Sequence, residues 1–194
     1  MKNSLKLRFA INLWKYPIFC LALRAGGQTL IEALKKDAER LLKYNCSKKE
    51  VFACLVSYRN FASIYLSRIR KCRIIWIISC IVFPANKNVE ILTDDIGPGF
   101  LVLHNFGAII RAKSIGSNVT ISQGVTIGEG GDQNSSDADN IPTIGNDVLI
   151  ASNALVIGNL VIGDGAIVGA GAVVTKSVEP GMVVVGNPAH VLKK

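Results

Sequence analysis

The stretch TIGNDVLIASNALVIGNLVIGDGAIVGAGAVV, residues 143–174, decides how the second half of this chain folds. β-Branched aliphatic residues recur in it every six positions, at Ile144, Ile150, Val156, Ile162, Val168 and Val174. A small residue follows most of them, as at Gly145, Ala151, Gly163 and Gly169. Neither the period of a helix nor the alternation of a lone strand gives that spacing. A short strand plus a turn does, with three such units closing one coil. The branched residue then points inward and stacks on its equivalents in the coils above and below. The next residue sits at a tight corner where bulk is not tolerated. One coil cannot bury its own apolar face, so several must stack. The expected architecture is a parallel β-helix; a sandwich would place turns roughly every 8–12 residues instead.

The same spacing runs upstream through Ile109, Ile115, Ile121 and Ile127, all expected as inward anchors. Two irregularities interrupt it. Nineteen residues separate Ile96 from Ile115, one more than three repeats, and the extra residue is expected near His104-Asn105-Phe106-Gly107. Seventeen separate Ile127 from Ile144, across the polar, glycine-rich GEGGDQNSSDADN of residues 128–140. That segment cannot pack as a coil and is expected to protrude. Irregular segments on a rigid scaffold are where function concentrates.

The first half has a different texture. Leu30, Ala33, Leu34, Leu41 and Leu42 fall near one helical face, and Ser47 with Glu50 forms a capping box for a following helix. Pro84 ends the helical pattern. The fold class is therefore α+β, with a basic helical region over residues 1–88 and a β-helix over 89–194, its loop at 128–141. Residues 1–88 carry 17 Lys and Arg against 4 Asp and Glu, a net +13, whereas residues 89–194 carry 5 against 10, a net −5. Such a basic half suits a membrane surface, an acidic polymer or the acidic half of a neighbour. No nucleic-acid motif or stacking platform accompanies it, so nucleic acid is set aside. Residues 74–83, IIWIISCIVF, are too few to span a bilayer. A buried helix is the first reading of them, and a membrane-surface contact helped by Arg68, Arg70, Lys71 and Arg73 is the other. The apolar run Phe9–Leu23 is broken by Lys15 and Pro17 and is not read as a signal peptide. The five cysteines form no C-x-x-C pair and read as buried or free thiols in a reducing compartment, with no metal site.

Several segments carry a family resemblance: Ile96-Gly-Pro-Gly through His104, Ile115-Gly through Gln123-Gly-Val-Thr-Ile-Gly128, Pro142-Thr-Ile-Gly145 and Gly186-Asn-Pro-Ala189. In order and spacing they resemble the serine acetyltransferase-type hexapeptide-repeat acyltransferase family. Tyr58-Arg-Asn-Phe-Ala62 extends the likeness loosely into the helical half. The resemblance implies a left-handed β-helix, a homotrimer and acetyl-CoA as co-substrate; whether trimers pair into a dimer of trimers through the N-terminal helices is left open by the sequence. The thiols in a reducing compartment suit a cytoplasmic protein, and the basic half leaves the inner face of the membrane open as a peripheral site. His104 would be the general base that takes a proton from an acceptor hydroxyl. A carboxylate one coil earlier would orient it; Glu90 matches approximately, with Asp94 and Asp95 nearby. Asn105 or a backbone N–H would donate to the oxyanion. The CoA arm would follow the coil corners between two subunits, at positions matching Gly128, Ser152, Ala170 and Lys176. Gln123 and Asp139 are the acceptor-binding candidates, and His190 reads as surface.

The sequence also departs from the serine-specific pattern. Leu103 stands where an Asp precedes the histidine, and Asn140-Ile141-Pro142 stands where the loop carries Arg-His-Pro. A free serine presents a carboxylate and an ammonium, and each needs a partner. The residues therefore fit better the branch that resembles glycan O-acetyltransferases of bacterial capsules and other surface polysaccharides. L-Serine O-acetylation, feeding cysteine synthesis, is the alternative.

Overall fold

The computed structural model describes residues 3–104, 106–131 and 140–192. The helical half comprises α1 (Asn3–Ile11), a 3-10 turn (Leu13–Lys15), α2 (Tyr16–Leu42), α3 (Lys48–Ser57), α4 (Arg59–Arg68) and α5 (Arg73–Val82). Within α2 the helix breaks at Gly27, whose φ of 69° is open to glycine without strain. The expected capping box is present: the Ser47 N–H donates to Glu50 Oε2 at 2.9 Å at the start of α3. A knot of rings closes the helical core, with Phe19 and Phe52 centroids 5.5 Å apart and Tyr65 and Phe83 at 5.6 Å. Leu30 and Leu34 are buried against it. Burial pushes the thiol of Cys46 up to about 11 and that of Cys54 up to about 12, so both stay protonated and unreactive at neutral pH.

Residues 89–192 wind through three sheets. The first stacks β1 (Val89–Ile91), β3 (Ala108–Ile110), β6 (Thr126–Gly128), β9 (Leu155–Ile157) and β12 (Val173–Val174). The second holds β4 (Ser114–Ile115), β7 (Thr143–Ile144) and β10 (Val161–Ile162). The third holds β2 (Leu101–Val102), β5 (Thr120–Ile121), β8 (Leu149–Ile150), β11 (Ile167–Val168), β13 (Val183–Val185) and β14 (His190–Val191). Pairings are parallel except the last, where β14 folds back antiparallel on β13. The arrangement is consistent with a left-handed parallel β-helix. Its interior is the aliphatic ladder read from the sequence, with Ile115, Ile121, Ile127, Ile144, Ile150, Val156, Ile162, Val168 and Val174 all buried. The corners explain the small residues: a Cβ on Gly116 would lie 2.6 Å from the Gly145 carbonyl carbon one coil away.

One anchor is corrected. Ile109 is 47% exposed, and Ile110 takes the interior place, between Ile91 and Ile127. Val102 and Ile110 are thus eight residues apart, and Ile110 and Ile115 only five. The chain gains two residues around His104 and gives one back at the next corner. A second correction concerns α5. Of its residues only Ser79 is fully buried, so the apolar run is not a buried helix.

The two halves are joined by charged and amide groups on the open edge of the first coil. Asp37 and Arg68 form a buried pair, Nε to Oδ2 at 2.8 Å. Asp37 Oδ1 also accepts from the N–H groups of Gly99 and Phe100, each at 2.8 Å. Arg68 donates onward to the carbonyls of Ile96 at 2.7 Å and Gly97 at 2.8 Å. Arg40 reaches the carbonyls of Gly99 and Val119, and Arg70 that of Ile91. Burial pushes the Asp37 carboxyl up from its ordinary value, and the Arg68 guanidinium with the two N–H donors pulls against that shift. Asp37→Ala leaves the Arg68 guanidinium buried without its counter-charge, a class of change that costs about 3–5 kcal/mol. Urea denaturation should show that loss; a loss under about 1 kcal/mol would mean that the pair does not hold the halves together.

Candidate active site

The corner between the third and first sheets gathers four of the residues singled out from the sequence. His104 follows β2 there, Gln123 follows β5, Ser152 follows β8 and Ala170 follows β11. They stand on successive coils: the Asn153 N–H donates to the Gln123 carbonyl at 3.0 Å, and the Gly171 N–H to the Ser152 carbonyl at 2.9 Å. The corner repeats a left-handed residue on each coil, with φ of 71° at Gly124, 60° at Asn153 and 67° at Gly171. Asparagine and glycine are the residue types that take this conformation at least cost.

His104 itself has φ 61°. A non-glycine residue held there stores backbone strain, and such strain concentrates at functional sites. What holds it is Asn60, buried at the start of α4. Its Nδ2 donates to the His104 carbonyl at 2.6 Å and to the Val102 carbonyl at 3.2 Å. Its Oδ1 accepts from Asn86 Nδ2 at 2.7 Å, and the Asn86 N–H donates to Ser63 Oγ at 3.0 Å. On the far side of the segment, the Gly124 N–H donates to the Phe106 carbonyl at 3.0 Å. Both ends are pinned, and the imidazole between them is exposed.

Two cavities flank this segment. One, of about 310 Å³, is lined by Leu41, Tyr58, Asn60, Phe61, Leu103 and His104, among others. The other, of about 430 Å³, contains Glu90, Lys87, Phe106, Ile109 and Thr126. Glu90 and His104 therefore lie in different cavities. Among the described residues neither the Glu90 carboxylate nor the His104 imidazole has a hydrogen-bond partner. Asp94 is engaged elsewhere, accepting from Arg70 Nη1 at 3.0 Å, and Asp95 is exposed. One further polar atom at this corner is unsatisfied: Gln123 Oε1 is buried without a donor. A buried acceptor without a partner calls for one, and here it stands one coil from the histidine.

The remaining candidates lie at the other edge of the first sheet. Gly128 ends β6 and Lys176 follows β12, at the corner leading to the second sheet. Within one chain they do not line up with Ser152 and Ala170. The 128–141 segment leaves from that same corner. Its described base is pinched shut, with the Gly130 N–H donating to the Asn140 carbonyl at 3.1 Å and Asn140 Nδ2 to the Gly130 carbonyl at 2.8 Å. Asn105 and Asp139 lie outside the described residues. His190 is exposed on β14, as read from the sequence. Asn60 was missed as a site residue, and its signal is weak: it sits inside Tyr58–Ala62, a run legible only as a loose likeness.

Residues 141–176 match the family described as bacterial transferase hexapeptide (six repeats). The serine acetyltransferase of Neisseria gonorrhoeae is similar to the chain at 26% identity and a TM-score of 0.70, over 92% of this chain and 72% of that one. The soybean serine acetyltransferase apoenzyme is similar at 28% and 0.73, over 99% and 84%. The soybean enzyme complexed with serine is similar at 28% and 0.72, over 99% and 85%. These matches indicate an acyltransferase. No curated protein sequence matches the chain.

For this acyltransferase the Asn60 clamp predicts a local effect. Asn60→Ala removes three hydrogen bonds in a buried setting, each worth on the order of 1 kcal/mol. Hydrogen exchange should quicken across residues 102–107 by more than it does in the coils beyond Ile144. Uniform exchange in both regions would argue against a clamp specific to the histidine.

Proposed function

We propose that the chain is an acetyl-CoA-dependent O-acetyltransferase with His104 as its general base. The observation that carries this reading is the exposed histidine held at φ 61° on an irregular turn of a hexapeptide-repeat helix. The imidazole takes the proton from an acceptor hydroxyl as its oxygen attacks the thioester carbonyl. The C–O bond forms, the tetrahedral intermediate collapses, the C–S bond breaks, and the departing thiolate recovers the proton as CoA-SH. A donor is needed for the oxyanion; Asn105 and the backbone N–H groups of the 104–107 turn are the candidates. The pantetheine arm of CoA would follow the corner past Gln123, Ser152 and Ala170, where small residues leave room and exposed backbone supplies hydrogen bonds. Gly128 and Lys176 would join that groove from a neighbouring subunit, which supports a homotrimer. Glu90 would orient His104 only if the two cavities become continuous around the 103–107 segment.

Two acceptors are in view. L-Serine is favoured by the comparisons, because the similar solved structures are serine acetyltransferases, two of them holding serine. That reverses the order suggested by the sequence. A sugar hydroxyl of a surface polysaccharide or its precursor remains the second reading, on a specific observation. The cavity at His104 is lined by Leu103, Leu101, Phe61 and Ile64 beside Tyr58, a set that supplies apolar contact and a neutral hydroxyl and no charged side chain. Asn140-Ile141 at the loop base likewise stands where the serine pattern carries Arg-His.

Release of CoA thiol from acetyl-CoA, measured with L-serine and in parallel with nucleotide sugars and oligosaccharides, tests both readings. His104→Ala should lower turnover by about 10²–10⁴-fold while the melting temperature stays near that of the parent. Near-normal turnover in that variant would remove the mechanism, and saturable turnover with L-serine would remove the sugar.

A further inference from the structure

The outer face of α5 is the largest feature that the acyltransferase reading leaves unused. Ile74, Ile77, Ile78 and Ile81 are 76%, 53%, 39% and 80% exposed. They recur at i, i+3, i+4 and i+7, so they form one stripe along the helix. The opposite side of α5, through Ile75, Trp76 and Cys80, packs on the helical core. The stripe is thus not a side effect of a loosely docked helix: α5 is anchored by one face and displays a second apolar one.

A cavity lined by Arg8 and Lys15 together with Val82 and Phe83 places α1 and the 3-10 turn beside the end of α5. Elsewhere on the helical half Ile11, Leu13 and Trp14 are also exposed, Trp14 at 67%, with Lys15 Nζ lying 5.2 Å from the Trp14 ring centroid. Isolated apolar residues on a surface need no explanation, but four exposed isoleucines on one face of one helix do.

Charge decides between occupants. The cations around the patch are the exposed Lys71 and Arg73 at the start of α5 and Arg8 and Lys15 at its end. Of the two others expected to help from the sequence, Arg68 is committed to the buried Asp37, and Arg70 pairs with Asp94 at the surface. Of the four acidic residues in the first 88, Asp37 is buried under Arg68 and Glu50 closes the α3 capping box. A symmetric contact with a second copy would set the same patch cations, Lys71, Arg73, Arg8 and Lys15, against their own copies and be opposed by that charge. An anionic bilayer surface satisfies both properties at once. It accepts isoleucine and tryptophan side chains at the headgroup boundary and attracts the surrounding cations. Among the described residues no helix is long and apolar enough to cross a membrane, so the contact would lie in the interface plane.

We propose that the α5 stripe docks this protein on anionic lipid membranes. Co-sedimentation of the full chain tests it, using vesicles with equal shares of phosphatidylcholine and phosphatidylglycerol against vesicles of phosphatidylcholine alone. The parent should pellet with the anionic vesicles, and less so at high salt. Ile77→Asp combined with Ile81→Asp should weaken binding about ten-fold or more with an unchanged circular-dichroism melt, because both positions are exposed. Failure of the parent to bind anionic vesicles, or equal binding by the double variant, overturns the proposal. So does a parent that ignores vesicles while the double variant loses mass in light scattering, since the stripe would then cover a second copy of the chain.

Discussion

The Asp37–Arg68 pair is the interaction on which the rest of the structure depends, because it lies where a β-helix is weakest. A coil at the end of a solenoid exposes unpaired N–H and C=O groups along all three of its edges. Here each edge is met by the helical half. Arg70 takes the Ile91 carbonyl on the first sheet, Arg68 takes those of Ile96 and Gly97 on the second, and Asn60 takes those of Val102 and His104 on the third. Asp37 supplies the acceptor for the Gly99 and Phe100 N–H groups between them. The opposite end is blocked more simply, by β14 turning back antiparallel on β13. The helical half is therefore the N-terminal cap of the solenoid.

That cap also governs the site. Its contact with the third sheet falls on the turn that carries the histidine, so the residue that satisfies an open edge also fixes the backbone of His104. A regular hexad could not do this. Six residues per side leave no slack at a corner, whereas the eight between Val102 and Ile110 let the chain bow outward and present an imidazole. Asn60 then sets how far it bows. Stability and chemistry are coupled through one buried amide, and its partner Asn86 ties it to the segment that leads from α5 into β1.

The repeat was legible because stacking imposes it on every coil: an anchor that missed its place would leave a void in the ladder and expose itself. Local chemistry was legible for the same reason, as at Ser47 and Glu50. Where two neighbouring residues could each fill the slot, the sequence was ambiguous. Ile109 and Ile110 are both β-branched, and only pairing with Ile91 and Ile127 selects the second. Contacts between distant segments were not legible at all. Asp37 and Arg68 are 31 residues apart, and nothing in either helix marks one for the other. The same blindness applies to α5, whose composition suggests burial but whose packing covers only one side.

The charge split between the halves now has two causes. Part of the positive charge of residues 1–88 is structural: carbonyl oxygens on an open edge need donors, and arginine brings several in a fixed fork. Arg40, Arg68 and Arg70 serve there, and they would be needed whatever the protein acted on. The remainder is concentrated on the surface, and cap chemistry does not explain it. Arg8 reaches the Ser57 carbonyl, but Lys71 and Arg73 stand exposed beside the apolar side chains of α5, and an arrangement that pairs the two properties at the surface has a cost in solubility. The acceptor site makes no demand for it, because the His104 corner faces other elements. A helix that gave one face to the cap core and kept a polar outer face would have served the fold equally well. The isoleucines on that outer face are thus the part of this molecule for which neither the β-helix nor the transfer chemistry supplies a reason.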